Sequence, residues 1–482
     1  MISLPILGLQ SVVVLLYFLT VVGVIITVIL ENRNPLKTSA WVLIIGLVPI
    51  VGLIAYILFG QEQRKLYRIN KRYYQRLQKS PRMQAVLPQQ VHNSTIPRHY
   101  QNLIQLVEHN SDSPLMSYDS CDIYTQGREF YDQLLSDIQR ATTHIHIESY
   151  LFEPDNIFER LSQALISKRA QGVDIRIIYD YLGSYNIEER QWQKLKAYGI
   201  QIYPFLPVRI PLLSSTVNYR NHRKICIIDG EIGYIGGMNF ASRYQDGNEL
   251  GCWRDTHFRL TGEAVSALQS DFLMDWYTVS KRVVHVERFF HPNPTGYKES
   301  NALIQFIFGG PLEEYPNIEQ ALTSIIYQAK KHIRIQTPYL LPTESLYNAL
   351  ISASLSGVKV EIMIPNKGDS LVTSLAMDSY LSTLLQAGVF IHRYQGGFLH
   401  SKILIADNEL ACLGSANLDF RSLEHNFEVM GIAYDPRLAQ QLSKIYDEDC
   451  KSCHTLDDDS WARRPLSRRF GESVMRLFAP LL

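Results

Sequence analysis

The sequence has no excess of either charge. Its 482 residues carry 47 Lys+Arg against 47 Asp+Glu, whereas a general nucleic-acid binder would be basic overall. It also lacks a Gly-rich loop of the kind that cradles nucleotide phosphates, which argues against nucleotide-driven chemistry. Cysteine is sparse. Cys450 and Cys453 with His454 match the C-x-x-C-H haem-attachment pattern, but no second ligand stretch accompanies them, and a zinc site would need two further ligands at suitable spacing. Two reduced cysteines near a helix end are expected there, and Cys121, Cys226, Cys252 and Cys412 read as reduced core residues. His144, His146 and Glu148 share one strand face, but the second half has His332, Arg334 and Gln336 there, a poor metal set. Neither a metal nor a cofactor is expected.

No basic stretch precedes the first apolar run, 7–30, and a second, 40–59, follows almost at once. A cleaved signal peptide is therefore disfavoured. Each run is uncharged and long enough to cross a bilayer as a helix, with Pro49 and Gly52 as interruptions in the second. Arg33 and Lys37 lie between the runs, whereas Arg64, Lys65, Arg68, Lys71, Arg72 and Arg76 follow them. That bias places everything after Gly60 in the cytoplasm.

What the chain does have is a motif carried twice. His222, Lys224 and Asp229 form H-x-K-x4-D, and His400, Lys402 and Asp407 repeat it. Asn239 and Asn417 each lie 17 residues after their histidine, with Gly237 and Ser415 at matching places. Alternation over 222–228 puts His222 and Lys224 on one face of a strand, and the Asp229–Gly230 turn returns the chain towards Asn239. Lysine and asparagine donate to phosphoryl oxygens, while a neutral imidazole attacks phosphorus or moves a proton. Asp229 and Asp407 fall beyond the strand, away from that face, and read as supports. The duplication is broader still: HIHIESYLFEP and GVDIRIIYD in the first half answer HIRIQTPYLLP and GVKVEIMIP in the second. Helices alternating with short apolar strands imply an α/β architecture. Asp255 and Glu428 occupy corresponding places in short strands after their motifs.

This pattern resembles the phospholipase D superfamily, and within it the whole chain looks like the bacterial cardiolipin synthases that use phosphatidylglycerol twice. The resemblance implies two phospholipase D-like α/β halves with packed mixed sheets and one composite site at their seam, behind a two-helix transmembrane hairpin. It implies His222 as nucleophile, His400 as acid and base, and Lys224, Lys402, Asn239 and Asn417 as stabilisers of the pentacoordinate phosphorus. Gly237 and Ser415 would let the backbone approach, Asp255 would orient His222, and Glu428 would orient His400. The same residues would serve a hydrolytic phospholipase D or another phosphatidyltransferase. A lipid-binding scaffold with a retired site is disfavoured by the intact second motif.

The expected organisation is a transmembrane hairpin over 1–60, a stalk and linker over 61–115, halves over 116–290 and 291–460, and a basic amphipathic tail over 461–482. Expected partners are phosphatidylglycerol and other anionic lipids at a bacterial cell membrane, not nucleic acid. The segment 205–220 and the tail are apolar and basic. On a helical wheel the tail sets Leu466, Phe470, Val474 and Leu477 opposite Arg468, Arg469, Glu472 and Arg476, a pattern suited to lying on anionic lipid.

Overall fold

The computed structural model describes residues 4–30, 35–56, 96–208, 218–282, 286–290 and 302–481. It divides into two compact units: residues 1–63 with 208–219, and residues 64–207 with 220–482.

In the first unit the helix Leu4–Leu30 packs against the stretch 35–56 through Val28, Ile45 and Tyr56, leaving Leu16, Phe18, Leu43 and Ile50 exposed. The second apolar run is not one continuous helix. It forms Pro35–Leu47 and then Pro49–Ala55, with Val48 out of helical geometry between them. Pro49 has no N–H for the carbonyl four residues back, so the helix stops and restarts with the proline in its first turn. Side chains of the first helix are described without a break only over 14–30, and no helix of the described residues is long and apolar enough to cross a membrane.

The second unit contains both halves of the duplication. The sheet of the first half has seven strands, in the order Ser120–Tyr124, His257–Thr261, Ile232–Gly236, Lys224–Ile228, His144–Ser149, Asp174–Asp180, Gln201–Phe205. The last three run parallel, while Lys224–Ile228 lies antiparallel to His144–Ser149 and so joins a parallel side to an antiparallel one. The second sheet repeats this core as Glu428–Ala433, Leu410–Gly414, Ile403–Ala406, His332–Gln336, Lys359–Pro365 and Phe390–Tyr394, with three strands added at its edges. Both motif strands are therefore central and buried, read as runs of Ile and Leu, and are covered by helices.

The stretch 96–115 falls in the expected linker, yet Ile96, Tyr100, Leu103, Ile104 and Val107 are buried in the core of the second half. Met116–Ser117 then pairs with Leu303–Gly309, so the chain enters the first half only after touching the second. Cys226 and Cys412 are buried as expected. Cys252, which precedes the short strand Trp253–Arg254, is exposed.

Candidate active site

Each motif strand is followed by a two-residue turn with both residues at positive φ, Asp229–Gly230 in one half and Asp407–Asn408 in the other. Aspartate tolerates that conformation, and here it also serves as an anchor. The Asp229 carboxylate accepts the backbone N–H groups of Thr142, Thr143 and His144 at 2.7–2.9 Å. Asp407 does the same for Lys330, Lys331 and His332. These two groups pin the neighbouring strand at the end away from the histidines. Among the described residues neither carboxylate has a hydrogen bond to a motif histidine or lysine.

The seam between the halves is stitched symmetrically. The His222 N–H donates to the Phe427 carbonyl at 2.9 Å, and the His400 N–H donates to the Arg254 carbonyl at 2.7 Å. Phe427 and Arg254 each precede one of the two carboxylates, Glu428 and Asp255. Each histidine is thus laid beside the carboxylate of the opposite half. His222 Nδ1 meets Glu428 Oε1 and Oε2 at 2.9 and 3.1 Å, and His400 Nδ1 meets Asp255 Oδ2 at 2.6 Å. This reverses the expected assignment, in which Asp255 served His222 and Glu428 served His400. The cause is the seam: a histidine that bridges to the other half's strand finds that strand's carboxylate first.

Small residues fit around these carboxylates. A Cβ on Gly237 would lie 2.1 Å from Asp255 Oδ1, so the bare backbone is what admits that side chain. Its counterpart Ser415 donates its hydroxyl to Glu428 Oε2 at 2.5 Å. Both carboxylates are fully buried. Burial works to raise the Asp255 carboxyl, but the charges of Lys402 and His400 and the hydrogen bonds outweigh it and hold it below its usual range. For Glu428 burial is likewise outweighed, by His222, Lys224 and Ser415. Ionised acceptors of this kind accept a hydrogen bond from Nδ1–H and so keep the ring proton there, which leaves the Nε2 lone pair for chemistry. Among the described residues neither Nε2 has a hydrogen-bond partner.

The lysines lie within the same pocket. Lys224 Nζ donates to the His222 carbonyl at 2.6 Å and sits 5.4 Å from the Tyr150 ring centre. Lys402 donates to the His400 carbonyl and approaches His400 Nδ1 at 2.8 Å and Asp255 at 3.9 Å. An ammonium and an N–H donor this close repel, and the proton on Nδ1 belongs to the shorter contact with Asp255. Burial first, then Lys402, pushes the His400 imidazole down to about 3; burial, against the pull of Glu428, lowers His222 as well. Burial drops Lys224 to about 7 and Lys402 to about 8. Each lysine's charge acts on the imidazole of the opposite half, so the two motifs form one electrostatic site. Asp255 and Glu428 offset these lysines only in part, since burial still lowers both, so an anion entering between them would be stabilised.

Asn239 and Asn417 are buried in the same region. Asn239 Nδ2 donates to the Tyr244 hydroxyl at 2.7 Å and Asn417 Nδ2 to Asp419 at 3.0 Å, while both Oδ1 atoms are without a partner. A half-turn of the Asn239 amide would let Tyr244 donate to Oδ1 and would put the NH2 where the free oxygen now is.

Several contributors escaped the sequence reading. Tyr150 packs edge-on against His222, and Tyr244 and Trp253 against His400, walling each imidazole with apolar surface. Arg254 is clamped by Asp449 at 2.7 and 3.0 Å, which fixes the carbonyl that receives His400. Asn221 is held by Glu148 and by Asp180, fixing the approach to His222. None of these is matched by a like residue at the same spacing in the other half, so no repeat pattern marks them. Among the described residues one trio, Glu148, Asp271 and Asp275, is close enough to hold a metal ion. Arg223 already fills that role, pairing with Asp271 at 2.8 Å and Asp275 at 2.5 Å.

Twin α/β halves, each with this mixed sheet, make up the phospholipase D-like fold. Residues 134–276 and 322–450 match the family described as "Cardiolipin synthase, PLD-like domain", and 14–61 match "Phospholipase_D-nuclease N-terminal". The chain belongs to the cardiolipin synthase, PLD-like family. It is 37% identical over 464 residues to a cardiolipin synthase of Geobacillus sp. (strain WCH70), covering 96% of this chain and 92% of the relative. It is 36% identical over 478 residues to one of Listeria monocytogenes serotype 4b (strain F2365), covering 97% and 98%. The crystal structure of phosphatidylserine synthase from Haemophilus influenzae Rd KW20 superposes with TM-score 0.62 at 16% identity, over 79% of this chain and 98% of that one, a likeness of fold.

Proposed function

We propose that this chain joins two phosphatidylglycerol molecules into cardiolipin and releases glycerol, through a phosphatidyl-histidine. The observation that carries the reading is the crossed pairing: two imidazoles, one per half, each with Nδ1 on a buried carboxylate of the other half and Nε2 free, between two buried lysines.

In this reading His222 Nε2 attacks phosphorus and forms the P–N bond while the glycerol oxygen departs with a proton from His400. The hydroxyl of a second phosphatidylglycerol then gives its proton to His400 and attacks, and the P–N bond breaks. His400 is neutral in the empty site near neutral pH, with its proton on Nδ1 and none on Nε2; the bound phosphodiester, an anion beside it, raises the proton affinity of Nε2. Lys224, Lys402 and the amides of Asn239 and Asn417 stabilise the charge on the pentacoordinate phosphorus. Gly237 admits Asp255, Ser415 steadies Glu428, and Asp229 and Asp407 hold the frame. The apolar walls from Tyr150, Tyr244 and Trp253 keep water from the intermediate.

We place the helices Leu4–Leu30, Pro35–Leu47 and Pro49–Ala55 in the bilayer as an anchor. Their exposed apolar side chains and the match of 14–61 support this. The basic residues from Arg64 to Arg76 favour a cytoplasmic site at a bacterial cell membrane.

The test is product analysis. Purified protein in mixed micelles with phosphatidylglycerol as the sole phospholipid should yield cardiolipin and glycerol, and excess glycerol should reverse the reaction. A strict need for a cytidine-diphosphate lipid would overturn the proposal, and phosphatidic acid as the dominant product would make the chain a hydrolase.

A further inference from the structure

The C-terminal helix Leu466–Arg476 is attached to the protein the wrong way round for a soluble domain. Its packed face is polar: Arg468 pairs with Asp378 at 2.9 Å, and Arg464 and Arg468 bind the buried Glu472 at 2.8 and 3.3 Å. Arg476 lies 4.4 Å from the ring centre of Tyr380, and Met475 and Ala479 reach the core of the second half. At 100° per residue the opposite face carries Leu466, Phe470, Val474 and Leu477. Leu466, Phe470 and Leu477 are 78%, 71% and 77% exposed, and Phe478 beyond them is exposed too. Arg463 and Arg469 are also exposed beside this stripe.

The position of the helix matters as much as its facing. It runs against the helix Leu371–Gln386, with Arg464 opposite Ser382 and Arg468 opposite Asp378, so its later turns head for the start of that helix. There Leu371 and Val372 are exposed as well, and two residues earlier Asp369 accepts the Tyr339 hydroxyl at 2.5 Å. Tyr339 leads into Leu340, which pairs with Leu418 next to Asn417. The start of that helix thus lies, through Asp369 and Tyr339, on the side of the half that carries Asn417.

We propose that this helix docks on an anionic lipid surface, its apolar face inserted and Arg463 and Arg469 on the headgroups, holding the site's entrance against the bilayer from which lipid is drawn. The choice of lipid over a second copy of the chain follows from charge: five arginines and a single glutamate lie between 463 and 476, and that glutamate is spent on Arg464 and Arg468. The proposal rests on a lipid being the substrate, but its test does not need catalysis.

The test puts the photocrosslinker p-benzoylphenylalanine at position 470 of the full chain in phosphatidylglycerol nanodiscs. Position 355 is the control, since Leu355 is equally exposed at 71% and lies at the far end of the sheet, next to the Asp407 anchor. Lipid adduct at 470 should exceed that at 355 by about tenfold. It should persist in a His222→Ala background, fall in phosphatidylcholine nanodiscs, and fall on Arg463→Gln with Arg469→Gln. Equal yields at 470 and 355, or a protein–protein adduct in place of lipid, would overturn the docking while leaving the proposed transfer reaction untouched.

Discussion

Adding one methyl group at Gly237 should disable the site without unfolding the protein. The new Cβ would stand 2.1 Å from Asp255 Oδ1 and 2.5 Å from Oδ2, where ordinary contact begins at 3.4 Å. More than about 1 Å must therefore be found, and the backbone at Gly237, just past the strand Ile232–Gly236, is buried and donates its N–H to the Thr256 carbonyl. The carboxylate yields instead, and its bonds to His400 Nδ1 and to the Thr256 N–H are the ones that stretch. Displacement on this scale costs on the order of 10²-fold in rate. Overpacking of one methyl in a tight core costs ~1–3 kcal/mol, within what a domain of this size withstands. The assay is cardiolipin formation by Gly237→Ala in mixed micelles, beside a thermal melt. Ser415→Ala is the comparison, because it removes one hydrogen bond from Glu428 and introduces no clash. A Gly237→Ala enzyme within about threefold of the parent rate would refute the argument that the Asp255–His400 contact governs turnover.

Three further outcomes follow from the same geometry. Glu428→Gln should cost on the order of 10²-fold or more and should act by slowing transfer onto His222; an effect confined to His400 would restore the same-half pairing. The lysine values near 7 and 8 mean that charge present below pH 7 is lost as the pH rises through 8, so kcat/KM for the anionic lipid should fall over that interval. The fall in kcat should come at higher pH, since bound anion favours the protonated lysines, and a flat kcat/KM up to pH 10 would contradict this. Replacing Cys450 and Cys453 together with Ser should leave lipid products unchanged, because both are free thiols with no assigned chemistry; loss of activity with loss of a bound metal or haem would show otherwise.

Much of the fold was legible because it is written twice. The repeat of His144 and His332 strands, of the Gly172 and Gly357 turns, and of the motif strands themselves maps onto two sheets with the same strand order. Alternation along one strand set Asp229 and Asp407 away from the His–Lys face, and both carboxylates accept backbone N–H groups of the neighbouring strand's start. The crossing of the carboxylates did not, because near-identical halves make same-half and opposite-half pairing equally consistent with spacing, and only the backbone bridges His222–Phe427 and His400–Arg254 decide it. The burial of residues 96–115 against the second half was hidden by their polar composition, since a single face of Tyr100, Leu103, Ile104 and Val107 suffices. In the tail the wheel set Leu466, Phe470 and Leu477 apart from Arg468 and Glu472, but it grouped with these Arg469, which is exposed beside the apolar stripe, and it could not say that Asp378 would hold the polar face.

The most direct test of the composite site is to catch its intermediate. Phosphatidylglycerol labelled in the phosphatidyl moiety should be mixed with excess enzyme, quenched within milliseconds, digested and sequenced by mass spectrometry. The account predicts label on His222, a loss of that label when His400 is replaced by Ala, and its transfer into cardiolipin when unlabelled phosphatidylglycerol is added before the quench. Label on His400 would reverse the two roles, and turnover to cardiolipin with no histidine ever labelled would contradict the mechanism.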